Sequence, residues 1–303
     1  MWFPNLEPLV TIIIPTYNSM SKGKCLDRTL KSIFGQTYRV IEVIIVDESS
    51  IDATLKVCTQ YPVRILKSRG GRSVARNVGI ENASGQFLMF LDSDMVLDSR
   101  VVEECVRACL EKGYHGLRIP IRHKVLEPMP SRLWDIVEAR NVELRVQSFP
   151  SDILFWSRRA IGDTRFAEDL SLGEDLCFQS PLIRKGAPLG TVSSRLTHYF
   201  LARSSLSEVL TRSYGYGKLY AKQRASASFT LLSRSISPVG LTQGCFAIRS
   251  LVEMRSLRLF ITIPFYLLVK YLGFVLGFIP SLVRTKAASS VRAGDRLTLK
   301  DVI

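Results

Sequence analysis

Val10-Thr11-Ile12-Ile13-Ile14-Pro15-Thr16-Tyr17-Asn18 is the stretch that decides the fold. Its first five residues are apolar or β-branched without polar alternation, the pattern of a strand buried on both faces, as in a parallel sheet. Its last four are turn-forming and polar. The same change of character recurs twice downstream. Val43-Ile44-Ile45-Val46 runs into Asp47-Glu48-Ser49-Ser50, Val63-Arg64-Ile65-Leu66 is a shorter third strand, and Phe87-Leu88-Met89-Phe90-Leu91 ends at Asp92-Ser93-Asp94. Helical patterns lie between them. Leu26, Leu30, Ile33 and Phe34 repeat at helical spacing and stop near Gly35; Ser50 and Asp52 open the next helix; Gly70-Gly71 opens one that contains Val74, Ala75, Val78 and Gly79. Apolar strands alternating with helices predict an α/β domain with a mostly parallel sheet. Such sheets bind ligands beyond the carboxyl ends of their strands. Here three strands end in polar or acidic residues, so those ends mark the site.

Other function classes are disfavoured by what is absent. No GxGxxG follows the first strand, which argues against a dinucleotide-dependent dehydrogenase. The six cysteines (25, 58, 105, 109, 177 and 245) form no CxxC pair and no zinc spacing with the histidines; they read as reduced, buried thiols. No apolar leader segment precedes the first strand, so a signal peptide is not expected.

Asp92 and Asp94 stand two residues apart at the end of a buried strand. In extended backbone that spacing puts both carboxylates on one side, where they suit a hard cation, Mg²⁺ or Mn²⁺, bridging to substrate phosphates. A solvated turn capping the following helix is the plainer reading of the same residues.

Five motifs in order change that balance. Ile13-Ile14-Pro15-Thr16-Tyr17-Asn18, Val46-Asp47-Glu48-Ser49-Ser50, Ala75-Arg76-Asn77-Val78-Gly79, Phe90-Leu91-Asp92-Ser93-Asp94 and Gly173-Glu174-Asp175 together resemble glycosyltransferase family 2 over roughly residues 9–220. The resemblance implies a GT-A fold, a Rossmann-like nucleotide-sugar-binding domain. It also implies inverting transfer from a nucleoside-diphosphate-sugar, with a UDP-sugar favoured. Pro15, Thr16, Tyr17 and Asp47 would then line the nucleoside pocket, with Asp47 accepting from the base. Arg72 and Arg76 would reach the diphosphate. Asp94 and Asp92 would hold the metal, joined by His198, and Asp175 would be the general base. Glu174 and Trp156 fall on the acceptor side, Trp156 as a sugar platform. Ser213-Tyr214-Gly215-Tyr216-Gly217 resembles a flexible family segment and carries no assigned role. Two departures stand out. Asp47-Glu48 replaces the frequent pair of aspartates, and Pro181 should shorten or kink the helix that follows Asp175.

Charge sets the last third apart. Residues 1–200 carry 26 Lys and Arg against 23 Asp and Glu; residues 201–303 carry 15 against 4, most of the net charge of +14. Residues 259–283 are apolar with one charge, Lys270. Twenty-five residues at about 1.5 Å each could cross a hydrocarbon core of about 30 Å. Lys270, Pro264, Pro280 and basic residues on both flanks favour instead a re-entrant hairpin or interfacial helices. A buried helix pair is the alternative. The expected organisation is therefore a GT-A domain over 1–225 and a helical, membrane-associated region over 226–303, on the cytoplasmic side of the cell membrane. The expected acceptor is a lipid-linked or cell-envelope saccharide, and nucleic acid is not an expected partner. A catalytically degenerate GT-A domain acting as a membrane-bound scaffold is the competing reading.

Overall fold

The computed structural model describes residues 7–21, 25–125, 153–170 and 173–200, together with positions 207, 210–211, 213–215, 217–218, 268–269, 271–279 and 281. The chain divides into two compact units, one of Met1–Leu126 with Val146–Leu201 and one of Glu127–Arg145 with Ala202–Ile303.

In the first unit the strands are β1 (Val10–Thr16), β2 (Ile41–Asp47), β3 (Arg64–Lys67), β4 (Phe87–Phe90), β5 (Met95–Leu97), β6 (Gly116–Arg118), β7 (Ile121–Val125), β8 (Ile153–Ser157), β9 (Leu189–Thr191) and β10 (Leu196–Phe200). The helices are α1 (Leu26–Phe34), α2 (Thr54–Cys58), α3 (Arg72–Asn82), α4 (Val101–Lys112), α5 (Arg158–Ile161) and α6 (Glu174–Arg184). Seven strands form the main sheet in the order β3-β2-β1-β4-β8-β6-β9. The first four are parallel, and β8 is inserted antiparallel between β4 and β6. A second sheet has the order β5-β10-β7.

The unbroken apolar runs are explained by the two layers that cover this sheet. Ile12 and Ile14 of β1, Val43 and Ile45 of β2 and Met89 of β4 pack with α1 and α4. Ile13, Ile44, Val46, Leu88 and Phe90 point the other way, into a core with α3 and α6. Alternate residues of one strand therefore enter different cores, and both cores are dry, so every position must be apolar. Gly79 brings α3 onto this sheet: a Cβ there would overlap the fully buried Ile13 side chain.

Two expectations need correction, those for Trp156 and for Asp92-Ser93-Asp94. Trp156 lies on β8 in the sheet interior, fully buried, with its Nε1 donating to Ile153 O at 3.0 Å. A sugar platform needs an exposed ring face, and the sheet covers both faces of this one. The Asp92-Ser93-Asp94 segment is a turn rather than extended strand, closed by Met95 N donating to Asp92 O at 3.1 Å. Pro181 does not end its helix. α6 runs three residues beyond it to Arg184, because only one backbone bond is lost while Phe178 and Leu182 anchor the helix in the core. Ser213, Tyr214, Gly215 and Gly217 are helical positions, not a glycine-rich loop.

The cysteine reading agrees with the structure among the described residues. Cys25, Cys58, Cys105 and Cys109 are buried and Cys177 is half-buried, none in a disulfide, and burial pushes Cys58 up to about 11 and Cys109 up to about 12. Cys245 lies outside the described residues.

In the second unit, the helical positions 207–218 and 268–281 meet at glycines. A Cβ at Gly273 would press on the Leu210 carbonyl, and one at Gly277 on the Tyr214 carbonyl. Two backbones this close leave no room for larger side chains. Among the described residues no helix is long and apolar enough to cross a membrane. Residues 259–267, 270, 280, 282 and 283 of the apolar segment, Pro264, Lys270 and Pro280 among them, lie outside the described residues.

Candidate active site

The carboxyl ends of β1, β2 and β4 deliver the polar residues to one edge of the sheet. Thr16 and Asp47 are register partners across β1 and β2, and the Thr16 hydroxyl donates to Asp47 Oδ1 at 2.8 Å. Asp47 also accepts from Ser50, from its backbone N at 2.8 Å and its hydroxyl at 2.6 Å. It is buried and organises the turn that carries Ser49 at φ 57°. Asn18, at φ 48°, holds the facing loop: its Oδ1 accepts from Ile51 N at 2.9 Å, and its own N–H donates to Ser50 Oγ at 2.8 Å. Pro15 precedes Thr16 in β1, and Tyr17 is about half exposed beside it.

Glu48 does what the more common aspartate is too short to do. Its Oε1 accepts from Gly70 N at 3.1 Å and Gly71 N at 2.7 Å. The carboxylate thus fills the amide cradle ahead of α3, at the positive end of that helix. Both glycines have positive φ, 125° and 88°, a geometry that a side chain would strain.

The four informative residues of Ala75-Arg76-Asn77-Val78-Gly79 each act separately. Ala75 and Gly79 let α3 lie close on the sheet. Asn77 is buried and fastens the loop before α6: it donates to Phe166 O at 3.0 Å and Glu168 Oε1 at 2.9 Å, and its Oδ1 accepts from Phe166 N at 2.8 Å. Arg76 is buried and bonds three carboxylates. Its guanidinium reaches Asp175 at 2.6 Å, Asp92 at 3.0 Å and Glu174 at 3.3 Å, and lies over the Phe166 ring at 5.1 Å. The expectation that Arg76 meets the diphosphate directly is therefore corrected: its donors face inward to protein acids. Arg72, one turn earlier, stays half exposed, 3.5 Å from Glu174 and 3.9 Å from Asp92.

The electrostatics follow from this crowding. Three acids share two guanidiniums, leaving one negative charge in excess when all are ionised. Burial opposes the charge on Asp92, but Arg76 and Arg72 outweigh it and hold its carboxyl below the usual range. Asp175 yields instead. Burial, offset in part by Arg76 and reinforced by Glu174 and Asp92, pushes it up to about 6. The Arg76 guanidinium is held more firmly charged: burial works against it, and the three carboxylates prevail.

Asp94 faces elsewhere. Its Oδ2 lies 3.4 Å from His198 Nε2, and its Oδ1 is buried with no donor among the described residues. A carboxylate oxygen in that state fits a cation. No group of three or more ligating side chains exists among the described residues. Mg²⁺ needs no such group, because it keeps several waters and takes its remaining ligands from substrate phosphates. Sequence reading placed Asp92 and Asp94 together on one cation; the turn sends Asp92 to Arg76 and Asp94 to His198. It also passed over Asn77, Ser50 and Phe166 as site-building residues. Asn77 and Ser50 lay inside quoted motifs, but the partners of Asn77 are about ninety residues away.

Replacing Arg76 by Gln leaves three carboxylates facing one another. The expected loss of stability is about 3–5 kcal/mol, read by urea denaturation, with Arg76→Lys losing less because the charge remains. An unchanged midpoint in Arg76→Gln would show that the three acids do not depend on the guanidinium.

Residues 11–152 match the family model described as Glycosyl transferase family 2. GlyG of Streptococcus pneumoniae, a glycosyltransferase, is 32% identical over 114 residues, 35% of this chain and 37% of GlyG. TarS of Staphylococcus aureus, a poly(ribitol-phosphate) beta-N-acetylglucosaminyltransferase, is 26% identical over 212 residues, 64% of this chain and 35% of TarS. The chain thus spans little more than a third of either relative. Two solved structures share its fold. Residues 1–349 of S. aureus TarS in complex with UDP-GlcNAc superpose with a TM-score of 0.51, 18% identity, and coverage of 96% of this chain and 93% of that one. The mannosyltransferase PcManGT from Pyrobaculum calidifontis, with GDP-Man and Mn²⁺, gives 0.57, 16%, and coverage of 94% and 87%. The ordered motifs, the sheet that presents them and these likenesses agree: residues 11–152 match glycosyltransferase family 2, and the chain has the GT-A fold.

Proposed function

We propose that the chain is an inverting glycosyltransferase. It takes a sugar from a nucleoside-diphosphate-sugar, with UDP favoured, and passes it to a hydroxyl or phosphate of a lipid-linked or cell-envelope saccharide. The observation that carries this reading is the Arg76 guanidinium, which bonds Asp175 and Asp92 at once. A base on α6 and the acidic turn after β4 are thereby held within one side chain's reach. A donor diphosphate at the turn and an acceptor hydroxyl at Asp175 would meet at a single anomeric carbon.

Asp175 takes the acceptor proton as the new bond to the anomeric carbon forms. The bond from that carbon to the diphosphate oxygen breaks on the opposite side, the nucleoside diphosphate leaves, and configuration inverts. A carboxyl pushed up to about 6 is ionised at neutral pH and more basic than an ordinary aspartate, which suits a general base. Thr16, Tyr17 and Asp47 hold the nucleoside. Asp47 has given three of its roughly four acceptor positions to Thr16 and Ser50, and the remaining one suits a base N–H. The half-exposed Arg72 is placed to meet the diphosphate, while Glu174 holds both arginines in line. A Mg²⁺ or Mn²⁺ at Asp94, with Asp92 and His198 beside it, would neutralise the leaving diphosphate. The donors bound to TarS and PcManGT, and the Mn²⁺ with the latter, support a nucleotide-sugar and a cation. The polymer named for TarS supports a cell-envelope acceptor that bears phosphate.

Attachment to the cytoplasmic face of a membrane belongs to the same proposal. Leu268, Leu272, Leu276 and Ile279 lie on one helix face and are about half exposed, a stripe suited to a lipid interface. The basic excess of the last third would meet anionic headgroups.

Four experiments test this reading. Asp175→Asn should lower transfer by about 10²–10⁴-fold while donor binding, measured by calorimetry, persists; undiminished transfer would remove Asp175 from the chemistry. Because the base must be ionised, kcat/KM of the native chain should fall as pH drops through about 6, the level to which Asp175 is raised. A screen of UDP- and GDP-sugars should find a donor whose binding weakens in EDTA, and the proposal fails if none binds with Mg²⁺ or Mn²⁺ present. Flotation with vesicles containing anionic lipid should recover the native chain and lose Leu272→Asp/Leu276→Asp; equal recovery of both would exclude that helix face as the anchor.

A further inference from the structure

Strand β10 carries a second constellation that the donor site does not use. Its backbone is tied to the acidic turn, with Tyr199 N donating to Asp94 O at 2.8 Å. Side chains alternate along the strand, so His198 belongs to the Asp94 side while Tyr199 points to the other face. On that face, two cations address the one Tyr199 ring. The Arg28 guanidinium lies 5.7 Å from the ring centroid and the Lys124 ammonium 5.9 Å from it. Arg122 stands two residues before Lys124 on β7, on the same face, where it is the register partner of Thr197.

Three elements supply these groups: Arg28 comes from α1, Arg122 and Lys124 from β7, and the ring from β10. Arg28, Arg122 and Lys124 are exposed, and none has a carboxylate within ion-pair distance among the described residues. Like charges gathered on one ring repel, and the ring quadrupole offsets only part of that repulsion. An anion placed among them removes the rest. The guanidinium fork and the ammonium both match phosphate oxygens.

We infer that Arg28, Lys124 and Arg122, arranged around Tyr199, bind a phosphate group of the acceptor. This rests on the transferase reading for the word acceptor. The donor diphosphate is assigned elsewhere, to the Asp94 side of β10, so the two anions occupy opposite faces of one strand. An acceptor carrying repeated phosphates would be gripped on the Tyr199 face while a neighbouring hydroxyl reaches Asp175 around the strand edge.

The test uses the full chain and two probes, a fluorescent inorganic polyphosphate chain and UDP with Mg²⁺. In Arg28→Gln/Lys124→Gln the polyphosphate dissociation constant should rise roughly tenfold or more, and the slope of log affinity against log salt should flatten by about 1–2. UDP affinity should stay within about twofold, an interval well below the cost of one lost charged contact. A control that removes equal charge from the far sheet edge, Arg64→Gln/Lys67→Gln, should leave both probes unaffected. The inference is overturned if polyphosphate binding is absent in the native chain, unchanged in the double variant, or equally weakened by the control. It is also overturned if UDP binding falls in step, since the cations would then serve the donor. A native chain that binds polyphosphate through this patch but transfers no sugar would sink the transferase reading and leave the phosphate site standing.

Discussion

A buried guanidinium shared among three carboxylates is the constraint on which the rest of this site depends. Taking Arg76 out of water costs several kcal/mol, and no single acid would return that cost. Asp92, Glu174 and Asp175 do so together, from two places: the turn after β4 and the first two positions of α6. The requirement works in both directions. The acids keep the arginine charged, and the arginine keeps three like charges within bonding distance of one centre. The acidic turn and the start of α6, more than eighty residues apart in the chain, are thereby held in register.

The same crowding divides the acids by role. With two positive charges for three negative ones, one carboxyl keeps its proton longest. That group is Asp175, while Asp92 stays ionised against Arg76 and Arg72. Two aspartates with the same intrinsic acidity are thus driven apart by their surroundings, which is how acid and base functions are separated within one pocket. Asp94, turned away toward His198, keeps a buried oxygen that has no donor among the described residues, apart from the Arg76 cluster.

The loops around this centre are held by side chains that substitute for ligands. Glu48 fills the amide cradle ahead of α3, and Asp47 with Asn18 ties the first two strand ends together. Asn77 does the same for the loop ahead of α6 through both its amide groups. Most of these bonds join segments more than twenty residues apart, at the edge of the sheet where the donor would lie.

The sequence by itself determined the layers and the location of the site. Unbroken β-branched runs require burial on both faces, and polar residues at three strand ends require a common edge, because both follow from local pattern. It also identified Asp92, Asp94, Arg76 and Asp175 as a group through the order of their motifs. Only the tertiary structure decided which way each side chain points. The i, i+2 argument for Asp92 and Asp94 assumed extended backbone, and a turn separates them. Arg76 was assigned to phosphate by chemical type, and burial gave it to protein acids. Trp156 was placed on the acceptor side by proximity in sequence to the base, and the antiparallel insertion of β8 put it in the core. Periodicity reports which face of an element is buried; partners brought from distant segments decide what a polar side chain touches.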